Sequence, residues 1–391
     1  MNKKQNIKEL LKGVKVEWKK LGDEDFFEIA NKGRKPVKAS LRIQGNIPYY
    51  GANNIQDYVE GYTHDGEDVL IAEDGSASLE NYSIQYVNEK FWANNHVHVI
   101  RGTSKVNTKF LYYYLKIVNF IPYLTGGGRA KLTKGKMLEI SIPIPPLKVQ
   151  SEIVRILDNF TELTAELTAE LSMRKKQYSY YRNHLLYSSE NVEWQPLENI
   201  GKIRMCKRIL KNQTLDIGDI PFYKIGTFGK TPNAYISKEL FNEYKEKYNY
   251  PKIDEILISA SGTIGRTVIF DGKEAYFQDS NIVWIENNEK IVLNKYLFYC
   301  YQVVNWHISD GGVIKRLYND NIRKTTIPIP YPNNIKKSLE KQKQIVAILD
   351  KFDTLTNSIS EGLPHEIELR QKQYEYYREM LLNFPKPKAE V

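Results

Sequence analysis

The second half of this chain restates the first, and no other feature limits its fold as strongly: whatever unit the first half builds, the second must build again. Lys15-Val16-Glu17-Trp18 returns as Asn191-Val192-Glu193-Trp194, and Ile47-Pro48-Tyr49-Tyr50 as Ile220-Pro221-Phe222-Tyr223. Asp68-Val69-Leu70-Ile71, followed by Gly75-Ser76, parallels Glu255-Ile256-Leu257-Ile258, followed by Gly262-Thr263. Ile142-Pro143-Ile144-Pro145 recurs unchanged as Ile327-Pro328-Ile329-Pro330. Beyond each of these, QSEIVRILDNF at 150–160 matches QKQIVAILDKF at 342–352, and nine of thirteen positions are identical between RKKQYSYYRNHLL at 174–186 and RQKQYEYYREMLL at 370–382.

The order is therefore globular, helical, globular, helical. The expected divisions are an N-terminal extension (1–15), a first globular domain (16–146), a first helical spacer (147–191), a second globular domain (192–331), a second spacer (332–384) and a tail (385–391). Short runs of Val, Ile, Tyr and Phe broken by Gly, Pro, Asn and Asp make the globular parts α+β, with mixed or antiparallel sheets. Each is expected to end in a short helix, at 110–119 and 296–307, and a glycine-rich basic loop. In the spacers, Ile153, Ile156, Phe160, Leu163 and Leu167 follow spacings of 3 and 4, as do Ile345, Ile348, Phe352, Leu355 and Ile359, which predicts a coiled-coil seam on each. The doubled Thr-Ala-Glu-Leu at 164–171 makes the heptad stutter, and Gly362-Leu363-Pro364 predicts a break in the second spacer. A pseudo-twofold pairing of the units would lay the two spacers antiparallel, as rods about 50 to 60 Å long.

Composition bounds the partners. The 391 residues carry a formal charge of +9, which favours a polyanionic partner. No run of residues approaches the about 20 apolar residues of a membrane span, and the N-terminal stretch lacks the apolar core of a signal peptide, so a cytoplasmic location is expected. Cys206 and Cys300 are the only cysteines and stand far apart, without a second Cys or His at ligand spacing, so neither a disulfide framework nor a zinc site follows.

Catalytic motifs fail one by one. The base-holding Asp/Asn-Pro-Pro-aromatic loop of amino-methyltransferases is missing, since the only Pro-Pro is Pro145-Pro146, between Ile144 and Leu147. Gly226-Thr227-Phe228-Gly229-Lys230-Thr231 is two residues short of a phosphate-binding loop. Glu243 with Lys245, and Asp271 with Lys273, have the spacing of a nuclease acid and lysine, but no Pro-Asp dipeptide begins that constellation. His96 and His98 would share one face of a strand, where packing or a phosphate contact is favoured over a metal. No catalytic, cofactor-binding or metal-binding residue is assigned.

The paired Ile-Pro-Ile-Pro entries, the segments QSEIVRILDNFTELTAELTAEL and QKQIVAILDKFDTLTNSI, and the two Arg-x-Lys-Gln-Tyr-x-Tyr-Tyr-Arg segments together resemble the specificity (S) subunit of Type I restriction-modification systems, over essentially the whole chain. The resemblance implies two target-recognition domains that each read half of a bipartite DNA sequence, and helical regions that space them and bind two methylation subunits. It further implies S-adenosylmethionine in the methylation subunits, and ATP with Mg in the restriction subunits of the full complex. A stand-alone DNA-binding regulator and a coiled-coil scaffold are the alternatives; a regulator has no use for two copies of a docking segment.

Base reading needs donors and acceptors, and affinity needs phosphate contacts. For backbone clamping the candidates are Arg129 and Lys131 in the first glycine-rich loop, and Lys315 and Arg316 in the second. For base reading they are Tyr49, Asn53, Asn54 and Ser76 in the first domain, and Lys224, Thr227, Ser259, Ser261, Thr263 and Arg266 in the second. The bland reading of each is a solvated turn.

Overall fold

The computed structural model describes residues 7, 9–126, 130–187, 191–306 and 316–385. Its first half carries β1 (Glu17–Lys20), β2 (Phe27–Ile29), β3 (Gln44–Tyr50), β4 (Ile55–Val59), β5 (His64–Ala72), β6 (Ile84–Ala93), β7 (Val97–Gly102) and β8 (Ser141–Ile144). A six-stranded sheet runs β2-β7-β5-β6-β3-β4, antiparallel throughout except for the parallel β3–β6 pair. Its centre is β5, whose Val69–Ala72 run is buried, as an unbroken apolar run inside a sheet must be. Strands β1 and β8 form a separate antiparallel pair with Trp18 opposite Pro143.

The second half repeats the plan with shorter strands: β9 (Val192–Pro196), β10 (Gly201–Arg204), β11 (Ile220–Tyr223), β12 (Tyr235–Ile236), β13 (Ile256–Ser259), β14 (Thr267–Ile269), β15 (Tyr276–Phe277), β16 (Ile282–Asn287) and β17 (Thr326–Pro330). The order β10-β16-β13 restates β2-β7-β5, the parallel β11–β15 pair restates β3–β6, and β9–β17 sets Trp194 opposite Pro328. The fold class is α+β with mixed sheets, as expected. The short helices are Thr108–Leu115, capped by the Asn107 side chain accepting from Phe110 N, and Asn294–Tyr301; both stop short of the expected ends.

The first spacer is one unbroken helix, Leu147–Tyr187, which runs through the doubled tetrad without interruption. The second is two helices, Ile335–Asn357 and Leu363–Leu382. The break depends on Gly362, where a Cβ would stand 2.2 Å from Thr354 O and 2.8 Å from Leu355 O. The seam itself needs correction. Ile348 and Ile359 are 41% and 80% exposed, whereas Leu157 and Leu349 are fully buried. The inward stripe is Ile153, Leu157, Phe160 in one helix and Ile345, Leu349, Phe352 in the other, because each helix packs on its own sheet and short helix as well as on a second helix.

Packing divides the chain into two units, residues 1–166 with 367–391, and residues 167–366. In the first unit, Tyr377, Leu381, Leu382 and Phe384 join Phe110, Ile153, Leu157 and Phe160 in one core, with Phe160 and Tyr377 stacked at 5.3 Å. Pro385 O accepts from Trp18 Nε1 at 3.0 Å, beside the strand that leads into Leu147, so these helices run antiparallel. In the second unit, Tyr178 and Leu186 join Ile345 and Leu349, and Phe352 stacks on Tyr178 and Tyr181. The end of one spacer thus supplies the core of the other repeat.

Each spacer is tied to its sheet half by the same contacts. Gln150 is fully buried, accepts from Asn107 N at 2.8 Å and donates to Pro145 O at 2.8 Å; Gln342, equally buried, accepts from Leu293 N at 2.9 Å and donates to Ile291 O at 3.1 Å. Tyr113 and Lys109 hold Asp158 as Tyr299 and Lys295 hold Asp350.

Candidate nucleic-acid interface

In the first half, the turn after β3, the loop after β5, the turn before β7 and the strip at 130–132 converge on one edge. Asn53 spans two of them, donating to Gly75 O at 2.8 Å and accepting from Ala77 N at 2.7 Å. Ser76 accepts from Ser83 N and donates to Ser78 O, which fixes the loop in shape. Glu73 is the electrostatic centre: Arg34 Nη1 lies 2.6 Å and Lys131 Nζ 3.0 Å from its oxygens. Burial alone would raise its pKa, but the hydrogen bonds from Arg34 and Lys131 outweigh that and hold the carboxyl below the usual value.

The second half assembles the same edge without a shared carboxylate at its centre. Ser261 Oγ donates to Asn281 Oδ1 at 2.9 Å, Gln278 Oε1 accepts from Ile225 N at 2.9 Å, and Arg316 Nη2 donates to Ser280 O at 2.9 Å. Arg266 Nη1 reaches Phe228 O at 2.9 Å and so ties the loop after β13 to the loop after β11.

These contacts sort the expected residues. Asn53, Asn54, Ser76 and Lys131 share the first edge; Lys224, Thr227, Ser259, Ser261, Thr263, Arg266 and Arg316 share the second. Arg129 and Lys315 lie outside the described residues. Tyr49 is withdrawn from the base readers: it is 1% exposed, its hydroxyl accepts from Val37 N, its ring stacks on Trp92 and the Arg42 guanidinium lies over it at 4.2 Å. Ser259 is also buried, its Oγ accepting from Arg266 N at 2.9 Å, so it shapes the loop that carries Thr263.

The histidines separate as well. His96 sits in the turn before β7, not on the strand, with Nδ1 2.5 Å from Asp74 Oδ1. His98 is buried, with Nε2 donating to Leu132 O at 2.8 Å and Nδ1 accepting from Asn31 Nδ2 at 3.0 Å; burial keeps its pKa below the usual histidine value. Among the described residues no group of three or more His, Cys, Asp or Glu is placed to hold a metal, and no helix is long and apolar enough to cross a membrane.

Two residues escaped the sequence reading. Arg34 stands five residues beyond Ile29, which pairs with Ile100; Arg208 stands five beyond Ile203, which pairs with Ile285. Both reach the turn before the next strand, Arg34 through Asn95 O and Val97 O, and Arg208 through Asp279 at 2.9 Å. The signal available was the acid-free basic run around each.

The profile of the Type I restriction modification DNA specificity domain matches residues 15–173 and again 190–369. The chain belongs to that family. Within the specificity family it is 64% identical over 391 residues to a type I restriction enzyme specificity subunit of Haemophilus influenzae, covering 98% of this chain and 99% of that one. It is 33% identical over 425 residues to a type I restriction enzyme specificity subunit of Escherichia coli, covering 100% and 99%. The solved type I S subunit from M. genitalium has the same fold, with a TM-score of 0.60 at 15% identity, over 96% of this chain and 98% of that one. In this specificity-family chain, then, the duplicated scaffold carries two edges of matching position and contrasting chemistry.

Proposed function

We propose that this chain is the DNA-recognition subunit of a type I restriction-modification complex, reading a bipartite target with one reader at 16–146 and the other at 192–331 and catalysing nothing itself. The observation that carries this reading is the repetition of a polar, loop-built edge at the same place on two copies of one scaffold, with different side chains on each. Asn53, Asn54, Ser76, Arg129 and Lys131 serve the first half-site; Lys224, Thr227, Ser261, Thr263, Arg266, Lys315 and Arg316 serve the second. Two methylation subunits, carrying S-adenosylmethionine, dock through the repeated helical segments, and restriction subunits supply ATP with Mg. A site spread over several loops suits major-groove reading, where each base pair shows its own donor and acceptor pattern.

The test is an exchange of residues 16–146 for the matching segment of another family member, followed by methylome sequencing with the cognate methylation subunit. One half-site should change and the other should stay. Change in both, or in neither, overturns the assignment of one reader to each half-site.

A further inference from the structure

Between β2 and β3 lies a stretch, residues 31–42, with five cations (Lys32, Arg34, Lys35, Lys38, Arg42) and no acid. Its two arginines and three lysines behave differently. Arg34 is spent on Glu73 and on the carbonyls of the turn before β7, and Arg42 on Asp57 and Val37 O. Lys32, Lys35 and Lys38 are exposed, and among the described residues none has a carboxylate within ion-pair reach.

The backbone between them is extended and held. Arg34 has φ −60° and ψ 135° and Lys38 has φ −58° and ψ 141°, both close to the polyproline conformation, and the ring of Pro36 between them restricts φ to the same region. Lys35 N donates to Ala93 O at 2.9 Å, Trp92 Nε1 donates to Lys35 O at 2.7 Å, and Val37 N donates to Tyr49 OH at 3.1 Å. Three residues per turn put Lys35 and Lys38 on one side of the strip, about 9 Å apart along it. Asn31, at its start, is held by His98, which also holds Leu132. The strip is therefore bound to the polar edge, with the Lys32 and Lys38 side chains exposed and the Lys35 ammonium 6.0 Å from the centre of the Trp92 ring.

The second half repeats the device. Lys207, Arg208 and Lys211 are exposed just beyond β10; Tyr276 OH donates to Lys207 O at 3.1 Å, and Arg208 reaches Asp279 beside the edge.

We infer that residues 31–38 form a rail that contacts DNA phosphates alongside the first half-site, with Lys207 and Lys211 as the counterpart beside the second. The inference rests on the DNA-recognition reading and adds to it the residues that supply affinity rather than sequence. Lysines on a prearranged backbone suit this role, because each phosphate neutralised releases condensed counterion and the strip has little conformational freedom left to lose.

The experiment measures binding of the full chain, assembled with its methylation subunits, to a duplex carrying the mapped target over a range of salt. Replacing Lys32, Lys35 and Lys38 together by Gln should lower the magnitude of the log K against log salt slope by about 2.7, at roughly 0.9 per contact. A rise from 50 to 200 mM salt would then weaken the variant about 40-fold less than the parent. Lys207→Gln with Lys211→Gln should lower the slope by about 1.8. The methylated sequence should not change. Replacement of the same lysines by Arg should keep the slope; its loss there would show that charge is not responsible and overturn the rail. A slope equal to the parent's in the Gln variants would overturn it too, and an altered half-site would mean that these lysines read bases. A parent complex that shows no salt-dependent binding to the duplex would instead overturn the DNA-recognition reading itself.

Discussion

The first reader's edge is gathered around one shared carboxylate and the second's is not. Glu73 gathers Arg34, Lys131 and the ring of His98 around one half-buried carboxylate, while Ser261, Asn281, Gln278 and Ser280 hold the corresponding loops without a shared acid. Beneath these edges the scaffolds share the order β2-β7-β5 and β10-β16-β13, the parallel pairs β3–β6 and β11–β15, and the contacts of the buried glutamines. The lesson is that duplication preserved the platform and left the loop chemistry free to diverge, as two readers of different half-sites require.

The comparison can be broken at its base. Leu157 and Leu349 are equivalent, and both are fully buried between a spacer and its own sheet half. Leu157→Ala and Leu349→Ala should each cost about 3 kcal/mol, from lost burial and the cavity left behind. Denaturant unfolding followed by fluorescence measures this, and a loss confined to one of the two would show that the platforms are not energetically alike.

At the edges the effects should diverge. Arg34 is 19% exposed at its side chain and compensates the half-buried Glu73, whereas Arg208 is 68% exposed beside Asp279. Arg34→Gln should destabilise by about 2 kcal/mol, since it leaves a partly buried carboxylate short of a partner, and Arg208→Gln by less than about 1 kcal/mol. Paired thermal melts would reverse the ranking if the ion cluster were only decorative.

The smallest effect is a dependence on pH carried by one reader. His98 has Val283 as its counterpart on β16, so among the described residues only the first edge buries an imidazole. Burial holds the folded pKa below the ordinary histidine value of 6.5, so the unfolded chain takes up a proton that the folded chain refuses. Stability from this group is complete above 6.5 and is lost as pH falls through that value, by up to about 1.4 kcal/mol per pH unit. Glu73, Arg34 and Lys131 face the ring, and Glu73 remains ionised across this range. Between pH 7 and 5.5 the parent should lose stability that His98→Val does not lose further; parallel pH profiles of the two would contradict the assignment.

The repeat was legible because helices write their packing locally: the recurring Gln-x-x-Ile-Val-x-Ile-Leu-Asp run shows where each spacer begins, and Pro364 beside Gly362 marks the break. The exposed loop residues Asn53 and Thr263 were legible as turn chemistry. What was missed depends on contacts distant in sequence. Tyr49 looks like a turn residue in its own neighbourhood, and only the packing of Trp92 and Arg42 against it makes it core. Ile348 fits a heptad as well as Leu349 does, and the choice is made by a short helix some fifty residues away that no periodicity encodes. Likewise, nothing in the linear order says that Tyr377 and Leu381 complete the first half's core and not the second's.

That last arrangement has a consequence for how the chain is made. Trp18 is separated from its partner Pro385 by 367 residues, an interval of about 20 to 70 seconds at ordinary ribosomal speeds. From the synthesis of Phe160 until Leu381 follows, the apolar faces of Phe110, Ile153 and Phe160 lack their closing helix, and residues 167–366 are complete as a unit before it arrives. The half written first is finished last. A ribosome that stalls between Glu366 and Leu381 therefore releases a chain whose second reader is built and whose first is open, and such a product presents itself to proteases and chaperones as unfinished before it can direct any partner to half a target.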